Sequence, residues 1–320
     1  MTTSVKNMAS IVAPVFNERQ SVSVLVEQIT EVMGKSGIDY ELIIVDDGST
    51  DGTMEALEQL HRDNPKLRII ELRKNFGQTA AITAGFDHAR GNVIVPIDGD
   101  MQNDPADIPP LVARLDQGYD VVSGWRRKRK DKLISRKIPS WIANGVIGMI
   151  TGVKLHDYGC TLKAYHRDVV DNLKLYGEMH RFIPAIASWS GARVTEMEVT
   201  HHKRKSGYSK YGLNRTVKVL LDLLTVKFLG SFSTRPLHIF GTIGFVALMT
   251  SFLTAAVMLY QKLFLDQNLN RNPLLTLTAM LVMMSVQFLL MGLLAEMLCR
   301  TYHESQDKKT YFIRKIIEQS

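Results

Sequence analysis

The sequence predicts an α/β domain built on a mostly parallel sheet, followed by interfacial helices and two helices that cross a membrane. Three observations lead there. Short apolar runs rich in β-branched residues alternate with longer helix-like stretches over residues 10–123, the spacing of right-handed βαβ units. The composition is that of an ordinary globular protein to about Arg235 and then changes abruptly. Beyond it lie two nearly uninterrupted apolar runs, each longer than the ~20 residues needed to cross a bilayer.

Taken in order, residues 10–16 read as the first strand, ending at Asn17 and Glu18, with a helix to about Met33. Residues 40–45 are the second strand. It ends in Asp46-Asp-Gly-Ser-Thr-Asp-Gly-Thr53, a polar turn whose residues suit a helix start, and that helix runs to about Asn64. Residues 67–72 form the third strand and 77–90 the third helix. The fourth strand, Val93-Ile-Val-Pro-Ile97, stops abruptly at Asp98-Gly-Asp100-Met-Gln102. A helix around 109–117 and a strand at 120–123 follow.

Ligands of such sheets bind beyond the carboxyl ends of the strands. Glu18, Asp46, Asp47, Asn75, Asp98 and Asp100 all fall at or near those ends. A buried strand cannot hold two carboxylates in its interior, so Asp98 and Asp100 emerge together at its tip. Gly99 lets the backbone turn between them and approach a ligand closely. With the amide oxygen of Gln102 they make a hard oxygen cluster, which suits Mg²⁺ or Mn²⁺ shared with substrate phosphates. An acidic turn facing solvent is the ordinary alternative.

Two common nucleotide folds are excluded. No two glycines stand two apart, so the Gly-x-Gly-x-x-Gly fingerprint of nicotinamide dehydrogenases is absent, and there is no Gly-x-x-x-x-Gly-Lys-Ser/Thr loop. A diphosphate held here is therefore neutralised by a metal and basic side chains. Cys160 and Cys299 offer neither a disulfide framework nor a metal-site spacing.

The apolar runs cover residues 237–265, interrupted by His238 and Lys262, and 273–299, with Gln287 and Glu296 the main polar intrusions. The loop between them carries only Arg271 as a basic residue, whereas the flanks hold Lys218, Lys227, Arg235, Arg300, Lys308, Lys309, Arg314 and Lys315. The positive-inside rule then places residues 1–212 and the basic tail at 300–320 in the cytoplasm. No basic region followed by an apolar stretch opens the chain, so no cleaved signal is expected. The net charge of +7 suits a domain resting on an anionic leaflet. Nucleic acid would also explain a basic chain, but the spans make that partner unnecessary. Glu296 and Arg300 stand four apart, as an ion pair within one helix would. A two-span anchor is thin, which points to subunits associating in the membrane, although no spacing specifies it.

Two basic stretches remain. Trp125-Arg-Arg-Lys-Arg-Lys130 and Lys132-Leu-Ile-Ser-Arg-Lys137 lead into an apolar helix from about Ile138 to Ile150, a pattern that sits at headgroup level. Arg126, with Ser135 and Arg136 behind it, is expected to hold a lipid phosphate delivered there, simple binding to anionic lipid being the ordinary alternative. Residues 213–235, with Val217, Leu220, Leu221 and Leu224 on one side, read as a second interfacial helix or a packing helix.

Ala13-Pro-Val-Phe-Asn-Glu18, Val45-Asp-Asp-Gly-Ser-Thr-Asp-Gly-Thr53 and Asp98-Gly-Asp100-Met-Gln102 resemble family 2 glycosyltransferases with the Rossmann-like GT-A fold. More closely, the chain resembles the polyisoprenyl-phosphate hexose synthases, the dolichol-phosphate mannose synthases and the bacterial undecaprenyl-phosphate glucosyl- and aminoarabinosyl-transferring enzymes. That likeness extends through Tyr158-Gly-Cys-Thr-Leu-Lys-Ala-Tyr165, His180-Arg-Phe-Ile-Pro184, Gly207-Tyr-Ser-Lys-Tyr211 and both apolar runs. It implies an inverting hexosyltransferase of the bacterial inner membrane, with UDP-glucose as donor and undecaprenyl phosphate as acceptor. Donors carrying aminoarabinose, GlcNAc or mannose stay open. Asp98, Asp100 and Gln102 would hold the cation. Pro14, Glu18, Asp46 and Asn75 would line base and ribose, and Arg204 and Lys210 would close over the diphosphate. Asp157 falls where related enzymes place a carboxylate near the sugar, as a base or an orienting group. A processive polysaccharide synthase would need a Gln/Arg-x-x-Arg-Trp motif and more spans, and neither is present.

Overall fold

The computed structural model describes residues 8–127, 145, 147–148, 151–171, 173, 175, 179–202, 236–265, 272–305 and 309–319. Two compact units result: residues 1–226 with 309–320, and residues 227–308.

The first unit is an eight-stranded sheet. In chain order it contains β1 (Ala9–Val15), α1 (Val22–Ser36), β2 (Tyr40–Asp46), α2 (Thr53–Asp63), β3 (Leu67–Leu72), α3 (Gln78–His88), β4 (Val93–Pro96), α4 (Ile108–Leu115) and β5 (Val121–Trp125). Then follow β6 (Lys163–His166), α5 (Arg167–Asp171), α6 (Ile183–Trp189), β7 (Val194–Glu198) and, after the second unit, β8 (Ile313–Ile317). The strand order is β7-β5-β6-β4-β1-β2-β3-β8. β6 runs antiparallel to β4 and β5, and β8 antiparallel to β3, while the other pairs are parallel. Six strands therefore point one way, as the alternating pattern implies.

The central strands are buried on both faces. All seven residues of β1 and of β2 are buried, which is why they read as continuous apolar runs. α1 contributes Val22, Leu25, Val26, Ile29 and Met33, the three- and four-residue spacing of one helical face. The register sets Val15 beside Asp46 and Asp46 beside Glu71, so the tips of β1, β2 and β3 form one rim. The end of β4 and the amino end of antiparallel β6 lie at the same side.

Three strands carry little sequence signal. β6 has four residues, β7 is only half buried, and β8 reads Ile-Arg-Lys-Ile-Ile. Four residues are too few for β6 to show a period although it is buried inside the sheet, and β7 and β8, at the two edges, bury too little to show a clean alternation. Residues 313–317, expected within a basic tail, instead extend this sheet. Arg68 explains part of that docking: it pairs with buried Glu41 at 2.6 Å and with Glu318 at 2.9 Å.

The second unit is a helical hairpin of α7 (Pro236–Leu265) and α8 (Pro273–Ser305). Phe240–Leu265 and Pro273–Ala295 are long and apolar enough to cross a membrane, and only 17% and 11% of their most apolar windows are buried. Helices of a soluble core would be mostly enclosed. The seam uses small and hydroxyl residues: Ser251 and Ser285 are buried, and the hydroxyls of Thr254 and Thr278 meet at 2.8 Å. The interfacial stretch 213–235, nearly all of 128–150, and the side chains of Glu296 and Arg300 lie outside the described residues.

Candidate active site

Asp98 and Asp100 follow β4 on the rim, each partly exposed, on either side of fully buried Gly99. Gly99 sits against β1: a Cβ there would come 2.9 Å from the carbonyl oxygen of Pro14 and from Val15. Its lack of a side chain thus lets the acid loop pack on the neighbouring strand. Asp98 Oδ1 accepts a hydrogen bond from Gln78 Nε2 at 2.8 Å, and Asp100 Oδ1 accepts one from the backbone N–H of Gln102 at 3.2 Å. Met101, between them, is buried with φ of 60°, a left-handed conformation costly for a side-chain-bearing residue. Among the described residues no group of three or more His, Cys, Asp or Glu is arranged to hold a metal ion by itself. Two carboxylates with an amide oxygen nearby nevertheless fit Mg²⁺ or Mn²⁺, which take most remaining ligands from phosphate and water.

The next part of the rim is a clasp between loops. Asn17 N donates to Ser49 Oγ at 2.8 Å, Thr50 N to Asn17 Oδ1 at 2.8 Å, and Glu18 N to Thr53 Oγ1 at 3.0 Å. The Glu18 carboxylate also accepts from the Ser21 hydroxyl at the start of α1. Asp47 ties in a third loop, accepting from Phe76 N at 2.7 Å and Gly77 N at 2.9 Å. Gly48 makes room for it: its φ is 73°, and a Cβ would lie 2.6 Å from the backbone of Lys74. Asn75 is carried on that loop and exposed, and Pro14 is buried at the end of β1. Asp46 is 1% exposed, and its Oδ1 has no hydrogen-bond partner. Burial raises the Asp46 carboxyl above the ordinary range, against bonds from Ser49 that lower it. A buried acceptor left open at a rim is a place for a ligand donor.

At the end of β5, Arg126 and Asp157 form a bidentate ion pair. Arg126 Nε donates to Asp157 Oδ2 at 2.7 Å and Nη2 to Oδ1 at 3.0 Å, with side chains 10% and 4% exposed. Burial works against the guanidinium charge, but Asp157 outweighs it and raises Arg126 further above its ordinary value. Below the pair, Lys163 is buried at the first position of β6, and its Nζ donates to the carbonyl oxygens of Cys160 and Tyr158. Burial lowers its ammonium to about 8.

The acid loop is braced from β7. Asn103 bridges to His201, His202 N donates to Gln102 O at 2.9 Å, and His202 Nε2 meets Asp104 Oδ2 at 2.8 Å. The chain thus leaves the described residues at His202 beside Gln102. Arg204, Lys210, Ser135 and Arg136 lie outside them.

The structure therefore brings Pro14, Glu18, Asp46, Asn75, Asp98, Asp100, Gln102, Arg126 and Asp157 to one rim. Sequence reasoning missed Gln78, Lys163 and His180. His180 is buried with Nδ1 2.7 Å from the Thr79 hydroxyl, one residue from Gln78. The available signal for Lys163 was a cation inside the apolar run Leu162–Tyr165, which has no solvated face to offer it.

The Glycosyl transferase family 2 model matches residues 10–174. The dodecaprenyl-phosphate galacturonate synthase of Rhizobium johnstonii is 47% identical over 97% of this chain and 93% of its own. The undecaprenyl-phosphate 4-deoxy-4-formamido-L-arabinose transferase of Proteus mirabilis is 38% identical over 97% and 94%. Among solved structures, glucosyl-3-phosphoglycerate synthase from Mycobacterium tuberculosis, in complex with Mn²⁺ and UDP-glucose, is similar with a TM-score of 0.55. That match is 16% identical and covers 69% of this chain and 79% of that one.

Proposed function

The chain belongs to glycosyl transferase family 2, and from that premise we propose that it transfers a sugar from a nucleotide donor to polyprenyl phosphate at the cytoplasmic face of a bacterial inner membrane. The observation that carries this reading is identity along the whole chain, donor domain and apolar helices together, with proteins named for lipid-phosphate products. Undecaprenyl phosphate, or a chain of similar length, is the acceptor. The 47% identical relative favours galacturonate as the sugar, ahead of the glucose expected from sequence, with 4-deoxy-4-formamido-L-arabinose next.

The connectivity supports a double crossing. β8 pairs with β3, so a chain that leaves this domain before residue 236 returns to it by residue 309. Two membrane crossings satisfy that return and one does not. The basic flanks orient the domain toward the cytoplasm.

Asp98, Asp100 and Gln102 would hold Mg²⁺ or Mn²⁺, which when bound would supply Lewis acidity toward the departing nucleoside diphosphate. Asp46 Oδ1, buried and open, accepts from an N–H or O–H of base or ribose, with Pro14, Glu18 and Asn75 alongside. Arg204 and Lys210 neutralise the diphosphate, and Arg126, Ser135 and Arg136 hold the acceptor phosphate. A phosphate oxygen attacks the anomeric carbon as its bond to the diphosphate breaks, inverting configuration. The acceptor is already anionic near neutral pH, its second pKa lying near ~6.

The test is transfer of labelled sugar to undecaprenyl phosphate in detergent, from UDP-galacturonate, UDP-glucose and UDP-4-deoxy-4-formamido-L-arabinose, with Mg²⁺, Mn²⁺ or EDTA. Metal-dependent lipid-linked product from one donor is expected. Failure with every donor would overturn the reading in favour of a nucleotide-sugar-binding scaffold.

A further inference from the structure

We infer that Asp157 is a positioning residue that aims Arg126 at the acceptor phosphate, and that Lys163 fixes the turn on which Asp157 is carried. This rests on the transfer reaction proposed above and assigns the work within its acceptor site.

Asp157 has no lone pair to spare. Oδ2 accepts from Arg126 Nε at 2.7 Å and, at a longer 3.4 Å, from Arg126 N. Oδ1 accepts from Arg126 Nη2 at 3.0 Å and from Gly159 N at 3.1 Å. A carboxylate offers about four acceptor sites, and these four contacts use them. A general base needs an open lone pair within reach of the proton it takes. An anionic phosphate acceptor presents no such requirement.

The same contacts define what Arg126 has left. Its Nε and one N–H of Nη2 form the side-on edge that Asp157 occupies. The end-on edge, Nη1 with the second N–H of Nη2, has no protein hydrogen bond among the described residues. Two parallel N–H groups on a planar fork match two oxygens of a phosphate. Asp157 thus fixes the plane and leaves the edge suited to a phosphate without a partner among the described residues. The pair is nearly enclosed, so swinging the guanidinium away would strand a buried carboxylate.

Lys163 explains how the turn is held. Its ammonium bonds the carbonyls of Tyr158 and Cys160, which flank Gly159, whose own N–H bonds Asp157. No carboxylate lies within ion-pair distance of Nζ among the described residues. A buried cation satisfied only by main-chain carbonyls is costly, and here it pins both sides of one glycine turn. Burial of Lys163 is complete enough that no solvating role is open to it.

The experiment is steady-state transfer to undecaprenyl phosphate by the full-length enzyme in detergent, using the donor that supports turnover. Variants are Asp157→Asn, Lys163→Met, Arg126→Ala and Asp157→Asn with Arg126→Ala, and UDP binding controls for folding. Positioning predicts that Asp157→Asn and Lys163→Met raise the acceptor KM about tenfold, leave donor KM unchanged, and keep kcat at saturating acceptor within about twofold. The double variant is then no worse than Arg126→Ala alone. A fall in kcat with acceptor KM unchanged, or losses that multiply in the double variant, would overturn the inference in favour of a base. Should Lys163→Met not bind UDP, the Asp157 and Arg126 variants decide the outcome. A wild-type enzyme inactive toward undecaprenyl phosphate with every donor overturns the transfer reading, and this inference with it.

Discussion

The ring of Phe312, one residue before β8, lies 6.0 Å from that of Phe76 at an interplanar angle of 48°. Phe76 belongs to the loop that Asp47 holds and that carries Asn75. The C-terminal segment adds two more bonds there: Arg73 N donates to Phe312 O at 2.9 Å, and Arg314 Nη2 to Arg73 O at 3.1 Å. The strand that follows the helical hairpin therefore supports the loop that carries Asn75, proposed above to line the donor.

Phe312→Ala combined with Arg314→Ala is expected to raise the donor KM about fivefold while leaving the acceptor KM unchanged. The size follows from an aromatic pair worth ~1 kcal/mol. Steady-state kinetics with varied donor measures it. A lowered melting temperature with unchanged donor KM would confine the segment to a structural role.

Gln78 holds Asp98 Oδ1 at 2.8 Å from the first turn of α3. Losing a residue that orients a metal ligand typically costs ~10–100-fold in metal affinity. Gln78→Ala should shift the Mn²⁺ activation curve to higher concentration by about that factor, with near-normal rate once saturated. Asp98→Asn and Asp100→Asn should not recover at any Mn²⁺ concentration. An unshifted activation curve in Gln78→Ala would remove it from the cation site.

His180 carries a pH dependence of stability. Burial lowers its imidazole well below the ordinary value, and the Arg181 and Lys163 charges push the same way. The unfolded chain takes up that proton near pH ~6.5, the folded one only at much lower pH. This contribution to stability is complete above about pH 6.5 and is lost progressively as pH falls beneath it. His180→Gln should flatten that difference. Thermal melting of both proteins across pH 5–7.5 checks it, and parallel curves would show that His180 does not titrate there.

The local signals in the sequence determined the central strands, the acid cluster at the tip of β4 and the two apolar helices, because each depends on short-range pattern. An apolar run that ends in Asp98 and Asp100 announces its burial and its exit in ten residues. Twenty or more apolar residues announce their solvent in the same way. β6, β7 and β8 stayed illegible, since edge or short strands are defined by their partners. Thus β8 exists because β3 offers a free edge and Arg68 offers a charge to Glu318.

The site divides along the same line. Position in the sequence marked Asp98, Asp100 and Asp46 as rim acids, because a carboxylate that ends an apolar run emerges at the tip of a buried strand. Only the tertiary structure decided that Arg126 and Asp157, 31 residues apart, occupy one another's hydrogen bonds. It alone put Gln78 on Asp98 and Lys163 beneath the Gly159 turn. The Arg126–Asp157 and Lys163 assignments depend on which loops meet when antiparallel β6 inserts between β4 and β5. That insertion is a long-range pairing, stabilised by the whole sheet and written in no short stretch of the chain.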